Sequence, residues 1–219
     1  MVEGVKRIST GIRGLDKLTK GFVQGDVYFI TGGTGSGKTI FCCQFIHEGL
    51  KNNEKCIFFS LEERPDSIMN DADSFEWDFR KSEKSGRLLI EYRDPFETIN
   101  IASAVKNRIE NFNATRVVID STSLFGIVFK DENEMRRQLY ELIKLLKETN
   151  CVTLLTGEIP SGSDKLSRFG VEEFVADGVI VLHHSIKGRS LFIKKMRKTK
   201  HDDKMHAMRI TSSGIEVAD

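Results

Sequence analysis

Residues 32–39 read Gly32-Gly33-Thr34-Gly35-Ser36-Gly37-Lys38-Thr39, a complete G-x-x-x-x-G-K-[ST] phosphate-binding loop. An apolar run, Val27 to Thr31, precedes the loop, and a helix-like stretch, Ile40 to Ile46, follows it. This order matters because the backbone N–H groups of the loop then face a phosphate at the positive end of the helix dipole. A glycine-rich turn is the alternative, but four glycines, Lys and Thr in this register favour a site for a nucleoside triphosphate.

Apolar, strand-like runs alternate with amphipathic stretches along the chain, which predicts an α/β fold with a mostly parallel central sheet flanked by helices. The predicted strands cover Cys56–Leu61, Leu88–Tyr92, Arg116–Asp120 and Cys151–Thr156, and the predicted helices cover 65–75, 97–111 and 135–146. Three antiparallel C-terminal strands are predicted over 179–184, 189–197 and 206–211, with Gly214 in a terminal turn. The length of 219 residues predicts one domain over 1–219.

Composition restricts the class of protein. Lys+Arg 33 and Asp+Glu 32 nearly cancel, so no net field draws the whole surface to nucleic acid or membrane. We interpret the four cysteines as reduced core residues, because they lie in apolar runs without C-x-x-C spacing: Cys42, Cys43, Cys56 and Cys151. The sequence lacks both an apolar stretch of membrane-spanning length and a secretory signal pattern, so we expect a cytoplasmic protein without membrane insertion.

Polar residues near the loop and at other strand ends supply the rest of a triphosphate site. Lys38 is predicted to reach the β- and γ-phosphates, and the Thr39 hydroxyl to bind Mg²⁺. Asp120 closes an apolar strand and is predicted to support the same ion. Glu62 and Glu63 follow another strand, where a carboxylate can orient an attacking water or accept its proton. The alternative for this pair is a favourable interaction with the N-terminus of the next helix.

Thr156 and Glu158 stand at the end of the strand after Asp120. A polar group there can sense the γ-phosphate of a bound nucleotide. The start of an ordinary loop accounts for the two residues equally well.

Several motifs in the same order resemble the KaiC-like branch of the RecA superfamily over nearly the whole chain. They are Arg7-Ile8-Ser9-Thr10-Gly11, Gly14-Leu15-Asp16, Ser60-Leu61-Glu62-Glu63, Ser74-Phe75-Glu76-Trp77-Asp78, Ile119-Asp120-Ser121, residues 168–177, and Lys195-Met196-Arg197-Lys198-Thr199-Lys200-His201. The resemblance implies a RecA-like P-loop NTPase fold and an ATPase that uses ATP and Mg²⁺. It also implies that Glu62 and Glu63 are tandem catalytic glutamates, and that Ile40 and Ser74 contact the nucleotide.

The basic stretch 195–201 would place Lys195, Arg197, Thr199 and His201 on one face of an extended strand. Without the resemblance, a solvated basic edge strand is the favoured interpretation. The resemblance implies instead that this face, with Met196, contacts the ATP of a neighbouring subunit, where Lys195 or Arg197 stabilises charge on the transferred phosphoryl group. It thus implies a homo-oligomer, a hexameric ring with ATP between its subunits.

Departures from the family pattern restrict these expectations. Glu173 and Phe174 stand where the kinase-type half of KaiC carries adjacent Ser and Thr, so self-phosphorylation is not expected there. Asp203 and Ser212 replace a Lys and an Asp of the family, so contacts to the base or ribose are expected to differ.

Three functions follow from these observations. The first is slow, Mg-dependent ATP hydrolysis by a ring that acts as a conformational or assembly switch. The second is single-stranded DNA binding in recombination, although the loops 126–133 and 161–168 carry few cations for phosphate contacts. The third is a nucleotide-gated module that binds an unknown protein partner. The residues favour the first over the second, and the sequence does not separate the first from the third.

Overall fold

The computed structural model describes residues 4–94, 101–129, 131–160 and 165–218. The strands are β1 (Arg7–Ile8), β2 (Phe22–Val23), β3 (Val27–Gly32), β4 (Cys56–Ser60), β5 (Leu88–Tyr92), β6 (Arg116–Asp120), β7 (Val152–Glu158), β8 (Gly178–Ser185), β9 (Gly188–Met196), β10 (Met205–Thr211) and β11 (Gly214–Val217). The helices are α1 (Leu15–Thr19), α2 (Lys38–Lys51), α3 (Pro65–Asp73), α4 (Phe79–Lys84), α5 (Ile101–Phe112), α6 (Phe125–Val128), α7 (Glu132–Glu148) and α8 (Glu172–Val175). A 3₁₀ turn, Thr122–Leu124, follows β6.

The central sheet has nine strands in the order β11-β10-β9-β8-β3-β7-β6-β4-β5. Strands β8, β3, β7, β6, β4 and β5 run parallel, and β9, β10 and β11 extend the sheet in antiparallel fashion. The pair β1 and β2 forms a separate antiparallel ribbon. The predicted architecture, a mostly parallel sheet with antiparallel C-terminal strands, is confirmed.

Both faces of the parallel strands are covered, which is why those strands read as continuous apolar runs. Every residue of β3 is buried. Helix α2 packs on one face through Phe41 and Phe45, against Tyr28 and Ile30. Helices α5 and α7 cover the other face, where side chains such as Leu139 join a second cluster. The prediction that the four cysteines lie in the core is confirmed, because all of them are buried.

Two C-terminal predictions differ from the structure. Strand β9 ends at Met196 and Lys198 adopts a left-handed conformation with φ of 58°, so the extended strand does not continue to His201. Gly214 does not end the fold in a turn but begins β11, the outermost strand of the sheet. In the predicted helix over 97–111, residues 97–100 lie outside the described residues. Within the part of the chain that the structure describes, every helix is too short or too polar to cross a membrane.

Candidate nucleotide-binding site

The phosphate-binding loop lies at the carboxyl end of β3, between the ends of β7 and β8. Gly32 is in register with Glu158 of β7 and with Leu182 of β8. Helix α2 begins at Lys38, after Gly37 with φ of 104°. Ligands of open α/β sheets bind at this edge, outside the carboxyl ends of the strands. The fold therefore presents the loop where a nucleotide is expected.

A cleft of about 450 Å³ opens beside the loop. Ten predicted site residues line it: Thr34, Gly35, Gly37, Lys38, Thr39, Ile40, Glu62, Glu63, Asp120 and Glu158. The sheet therefore brings the ends of β4, β6 and β7 to the loop, as the sequence predicts. A larger cleft of about 680 Å³ borders Gly33 and Thr34 on another side and includes Asp203. Its lining lacks Lys38, Thr39 and Asp120, so we assign the nucleotide site to the smaller cleft.

The loop holds its lysine against its own backbone carbonyl groups. Lys38 Nζ donates to the carbonyl oxygens of Gly32 at 3.0 Å and Gly33 at 3.1 Å. Gly35 has a φ of 70°, and a side chain on Gly33 would meet open space. The Ser36 hydroxyl is buried and has no hydrogen-bond partner among the described residues. The loop is thus a shallow, open cradle with a positive charge at its mouth.

Thr39 and Asp120 form the predicted magnesium side of the cleft. Thr39 Oγ1 donates to Asp120 Oδ2 at 2.9 Å, and Thr156 Oγ1 donates to Asp120 Oδ1. Asp120 is only 8% exposed. Burial raises the pKa of Asp120 above its ordinary value, although both hydroxyl hydrogen bonds act in the opposite direction. Hydroxyl and carboxylate oxygens are hard ligands of the kind that Mg²⁺ prefers, so the residues present fit that ion.

The two glutamates are held differently. Glu62 accepts a hydrogen bond from Ser121, next to Asp120 at the end of β6. Glu63 accepts one from Ser67 of α3, and its backbone N–H donates to Ser60 Oγ at 2.9 Å. The helix interpretation therefore suits Glu63, whereas Glu62 belongs to the magnesium side. That either glutamate is catalytic stays a prediction.

Ser74 lies away from the cleft, whereas Thr156 contacts Asp120 beside it. Ser74 follows the last residue of α3 and donates to the carbonyl oxygen of Asn70 at 3.1 Å. It does not line the cleft. Asp71, one turn earlier on α3, lines the cleft instead. Thr156 contacts the carboxylate of Asp120, so it is better explained as a support of that residue than as a loop start.

The stretch 195–201 begins near the amino ends of the parallel strands β3 and β8, whereas the loop follows the carboxyl end of β3. Lys195 is in register with Val179, and Met196 with Gly178, which itself is in register with Tyr28 near the start of β3. Four residue steps along β3 separate Tyr28 from Gly32, which is about 13 Å. These residues therefore do not reach the phosphate loop of their own chain.

The side chains of this stretch do not share one face, because the backbone turns after Met196. Lys195 Nζ donates to the carbonyl oxygens of Glu173, Phe174 and Ala176 at 3.1, 3.1 and 2.6 Å. Partial burial lowers the pKa of Lys195 below its ordinary value. The Met196 side chain belongs to the core on the α2 face.

The other members of the stretch have separate contacts. Arg197 Nη1 lies 3.8 Å from Asp177 Oδ1, and Thr199 Oγ1 accepts from Arg7 at 3.0 Å. His201 Nδ1 lies 3.2 Å from the carbonyl oxygen of Thr199. The prediction of one alternating basic face is therefore wrong beyond Met196, and a role toward a second subunit stays a prediction.

Arg189 lines the cleft although its sequence context does not indicate it. Arg189 Nη2 donates to the carbonyl oxygen of Gly35 at 3.3 Å. The register of the β8–β9 hairpin, in which His184 is opposite Arg189, carries the guanidinium to the loop. Sequence reasoning missed this residue because a basic residue at a strand start is common and its position depends on strand pairing.

The loops considered for DNA binding are only partly described. Lys130 and residues 161–164 lie outside the described residues. Arg168 lies 5.9 Å from the ring centroid of Phe169. Phe169 is 8% exposed, so its ring is not available to stack on a base. DNA binding stays a prediction without a supporting contact.

Three comparisons relate this geometry to known proteins. The sequence matches the family described as "ATPase: KaiC" over residues 8–219. It is 31% identical to the circadian clock oscillator protein KaiC of Parathermosynechococcus lividus, over 99% of this chain and 43% of that protein. It is 32% identical to UPF0273 protein MK0039 of Methanopyrus kandleri, over 97% of this chain and 92% of that protein.

Among solved structures, the chain is similar to the KaiC-like protein PH0186 of Pyrococcus horikoshii OT3, with a TM-score of 0.90 and 39% identity. That match covers 98% of this chain and 100% of the other. The chain thus spans less than half of the clock protein and nearly the whole of the other two.

Proposed function

The chain belongs to the KaiC family of ATPases, and from this membership we propose that it binds ATP with Mg²⁺ and hydrolyses ATP slowly. We propose further that it works as a ring whose assembly or conformation follows the bound nucleotide. The observation that carries the proposal is the meeting of Lys38, Thr39, Asp120 and Glu62 in one cleft of about 450 Å³. A phosphate cradle, oxygen ligands and a carboxylate facing the cleft are the parts that phosphoryl transfer to water requires.

Binding of the triphosphate falls to the loop and the start of α2. The backbone N–H groups of the loop and the helix dipole would hold the phosphate oxygens. Lys38 would exchange its two carbonyl partners, Gly32 and Gly33, for the β- and γ-phosphates. Arg189, already in contact with Gly35, lies close enough to fix the loop around the bound phosphates.

The hydroxyl of Thr39 and the carboxylate of Asp120 would hold Mg²⁺. When bound, this ion neutralises charge that develops on the phosphate oxygens during transfer. A cation beside Asp120 also favours its ionised form, which opposes the effect of burial on the pKa of that carboxyl. Thr156 orients the carboxylate from the other side through its hydrogen bond.

Glu62 is our candidate for orienting the attacking water and accepting its proton. It is exposed to the cleft and its hydrogen bond to Ser121 fixes it beside Asp120. Glu63 would support it through its contacts with Ser67 and Ser60. Self-phosphorylation is not proposed, because Glu173 and Phe174 carry no hydroxyl group to accept a phosphate.

A ring explains how Lys195 and Arg197 could act at a phosphate site that they do not reach within one chain. The loop lies at the carboxyl ends of the parallel strands, and the two basic residues lie near their amino ends. A head-to-tail contact between copies joins unlike ends, and it closes into a ring when the rotation permits. The number of six subunits rests on the resemblance alone. Lys195 would leave its three carbonyl partners to reach a neighbouring phosphate.

ATP turnover in glutamate variants tests the catalytic part of the proposal. Glu62→Gln, and Glu62→Gln combined with Glu63→Gln, remove the base without changing side-chain size. We expect kcat to fall by about 10²-fold or more while KM changes little, because a general base acts in the transition state. Glu134→Gln, a change at a partly exposed side chain of α7, is the control and should leave kcat unchanged.

Two outcomes would contradict the catalytic assignment. Undiminished turnover in the double glutamine variant would exclude both carboxylates as the base. A wild-type protein that binds ATP tightly but does not hydrolyse it would favour the alternative function, a nucleotide-gated module for a protein partner.

A further inference from the structure

Glu172 is a buried carboxyl that the proposed mechanism does not use. It is the first residue of α8 and is 1% exposed. Its Oε1 lies 3.1 Å from Thr122 Oγ1, and its Oε2 accepts from the backbone N–H of Val171 at 3.3 Å. Burial raises the pKa of this carboxyl above its ordinary value. A buried acid of this kind is costly unless it is protonated or its oxygens are hydrogen-bonded.

Thr122 cannot donate to Glu172 and to Thr156 at the same time. Thr122 Oγ1 also lies 3.0 Å from the carbonyl oxygen of Thr156, and a hydroxyl has only one hydrogen to donate. A protonated Glu172 can donate to Thr122, whose hydrogen then goes to Thr156. The side chain of Thr156 donates in turn to Asp120. Glu172 is thus connected to the magnesium side of the cleft through two threonines.

Backbone carbonyl groups of α8 and of the residue that follows it bind Lys195, the lysine proposed to act on a neighbouring copy. Lys195 Nζ is surrounded by the carbonyl oxygens of Glu173, Phe174 and Ala176. Lys147 binds the same end of the helix through the carbonyl oxygen of Val175, at 2.6 Å. Helix α8 is four residues long, about 6 Å at 1.5 Å per residue. A shift of the Glu172 end therefore moves the carbonyl groups that position Lys195.

We propose that Glu172 is a positioning residue that connects the magnesium side of one nucleotide site to Lys195, and so to the site of the next copy. This inference rests on the proposed function, because Lys195 affects turnover only if it serves a neighbouring ATP. Glu172 itself touches neither nucleotide. Its effect passes through Thr122 on one side and through the carbonyl groups of α8 on the other.

A double-mutant cycle on the full-length, assembled protein tests the connection. Turnover is measured for Glu172→Ala, Glu172→Gln, Lys195→Ala and the combination of Glu172→Ala with Lys195→Ala. We expect Glu172→Ala to lower kcat by about tenfold with little change in KM, as for a residue that modulates coupling between sites. Glu172→Gln should stay within about twofold of wild type, because its amide can donate to Thr122 as a protonated carboxyl does.

Non-additivity is the decisive result. If Glu172 acts through Lys195, adding Glu172→Ala to Lys195→Ala should cause no further loss in kcat. If the two losses multiply, Glu172 is merely structural and the inference is overturned while the proposed function stands. If Lys195→Ala leaves turnover unchanged, the action of Lys195 on a neighbouring copy is overturned, and the inference with it.

Two further variants protect the test from effects on folding. Glu48→Ala is the matched control, since Glu48 is a partly buried acid that accepts from Ser9 Oγ at 2.6 Å. It belongs to α2, which packs on the opposite face of the sheet from α8. It should leave kcat unchanged. If Glu172→Ala does not fold, Thr122→Val breaks the same connection from the other side with little change in volume. In the cycle of Thr122→Val with Lys195→Ala, non-additive losses then support the inference and multiplied losses overturn it.

Discussion

Asp120 receives two hydroxyl hydrogen bonds in a position where only 8% of its surface is exposed. A carboxylate removed from water in this way is unfavourable until a cation or further donors compensate it. Thr39 and Thr156 supply part of that compensation, and a bound cation would supply more. The burial of Asp120 thus costs the free protein stability, and it fits the cation that we propose to bind there.

Asp26 is a second buried carboxylate, and it lies away from the cleft. Its effect on stability can be measured by thermal unfolding without a ligand. It is 4% exposed, with Oδ1 2.7 Å from Lys198 Nζ and Oδ2 without a hydrogen-bond partner among the described residues. Burial, aided by the nearby charge of Asp177, raises the pKa of Asp26 above its ordinary value of 3.8. Relative to the unfolded chain, the folded protein therefore favours the protonated form of Asp26. The stability from this group is present below pH 3.8 and is lost as the pH rises through the folded pKa.

We predict that Asp26→Asn raises the melting temperature at neutral pH, because the amide removes the cost of a buried charge. The gain over wild type should shrink as the pH falls towards 3.8, where the aspartate is itself protonated. Thermal unfolding followed by circular dichroism across this range measures the effect. Asp66→Asn is the control, since that side chain is 86% exposed. A lower melting temperature at neutral pH would contradict the prediction.

Among the elements, the β10–β11 hairpin shows how a side chain on one element fixes the position of another. Gln44 of α2 accepts from the backbone N–H of Ile215 at 2.6 Å and donates to the carbonyl oxygens of Gly11 and Ile215. Gly214 passes close to this amide with φ of 112°, and a Cβ there would lie 2.5 Å from Gln44 Oε1. The hairpin therefore needs glycine both for its backbone conformation and for its contact with α2.

We predict that Gly214→Ala lowers the free energy of unfolding by about 1–3 kcal/mol from backbone strain, and by a further amount from the clash with Gln44. Gly188→Ala is a matched control, because Gly188 has the same φ of 112° but a Cβ on it would have no atom within 4 Å. Urea unfolding of both variants separates strain from clash. Equal losses in the two would show that the Gln44 contact contributes nothing.

At the scale of the whole molecule, the residues that we propose for catalysis lie at opposite ends of the parallel strands. The phosphate loop and the carboxylates near it lie at the carboxyl ends of the parallel strands, and Lys195 and Arg197 lie near the amino ends. A single copy therefore lacks one half of the site that we propose. That residues 1–219 act as one domain, and that copies assemble in a ring, remain predictions that belong to this scale.

Mixing two inactive variants tests the shared site. Lys38→Ala removes the phosphate lysine of a chain, and Arg197→Ala removes the residue that it offers to its neighbour. Each variant alone should lose most turnover. In an equal mixture, random assembly of a head-to-tail ring gives about one site in four that has both Lys38 and the neighbour's arginine, so turnover should return at those sites. Size-exclusion chromatography with ATP, with ADP and without nucleotide reports whether the copies assemble.

The controls for the mixing experiment are each variant measured alone at the total protein concentration of the mixture. Turnover of the mixture equal to the mean of these two values would rule out a shared site.

Local sequence was sufficient for the parts whose structure depends on neighbouring residues. The phosphate loop follows from its own glycines, the buried strands from their continuous apolar runs, and Asp120 from its place at a strand end. Only the tertiary structure distinguished Glu62 from Glu63, since the two differ in which neighbouring element holds them. Only the tertiary structure brought Arg189 to the loop.

The sequence by itself determined that this chain has an α/β fold with a phosphate-binding loop, because such a motif and such strands are encoded by residues within a few positions of each other. The tertiary structure decided that Lys195 lies near the amino ends of the parallel strands, and that Glu172 reaches Thr122. Those contacts join residues far apart in the chain, and they depend on strand order and register. Long crossover connections and pairing with neighbours set that order and register, and local sequence does not.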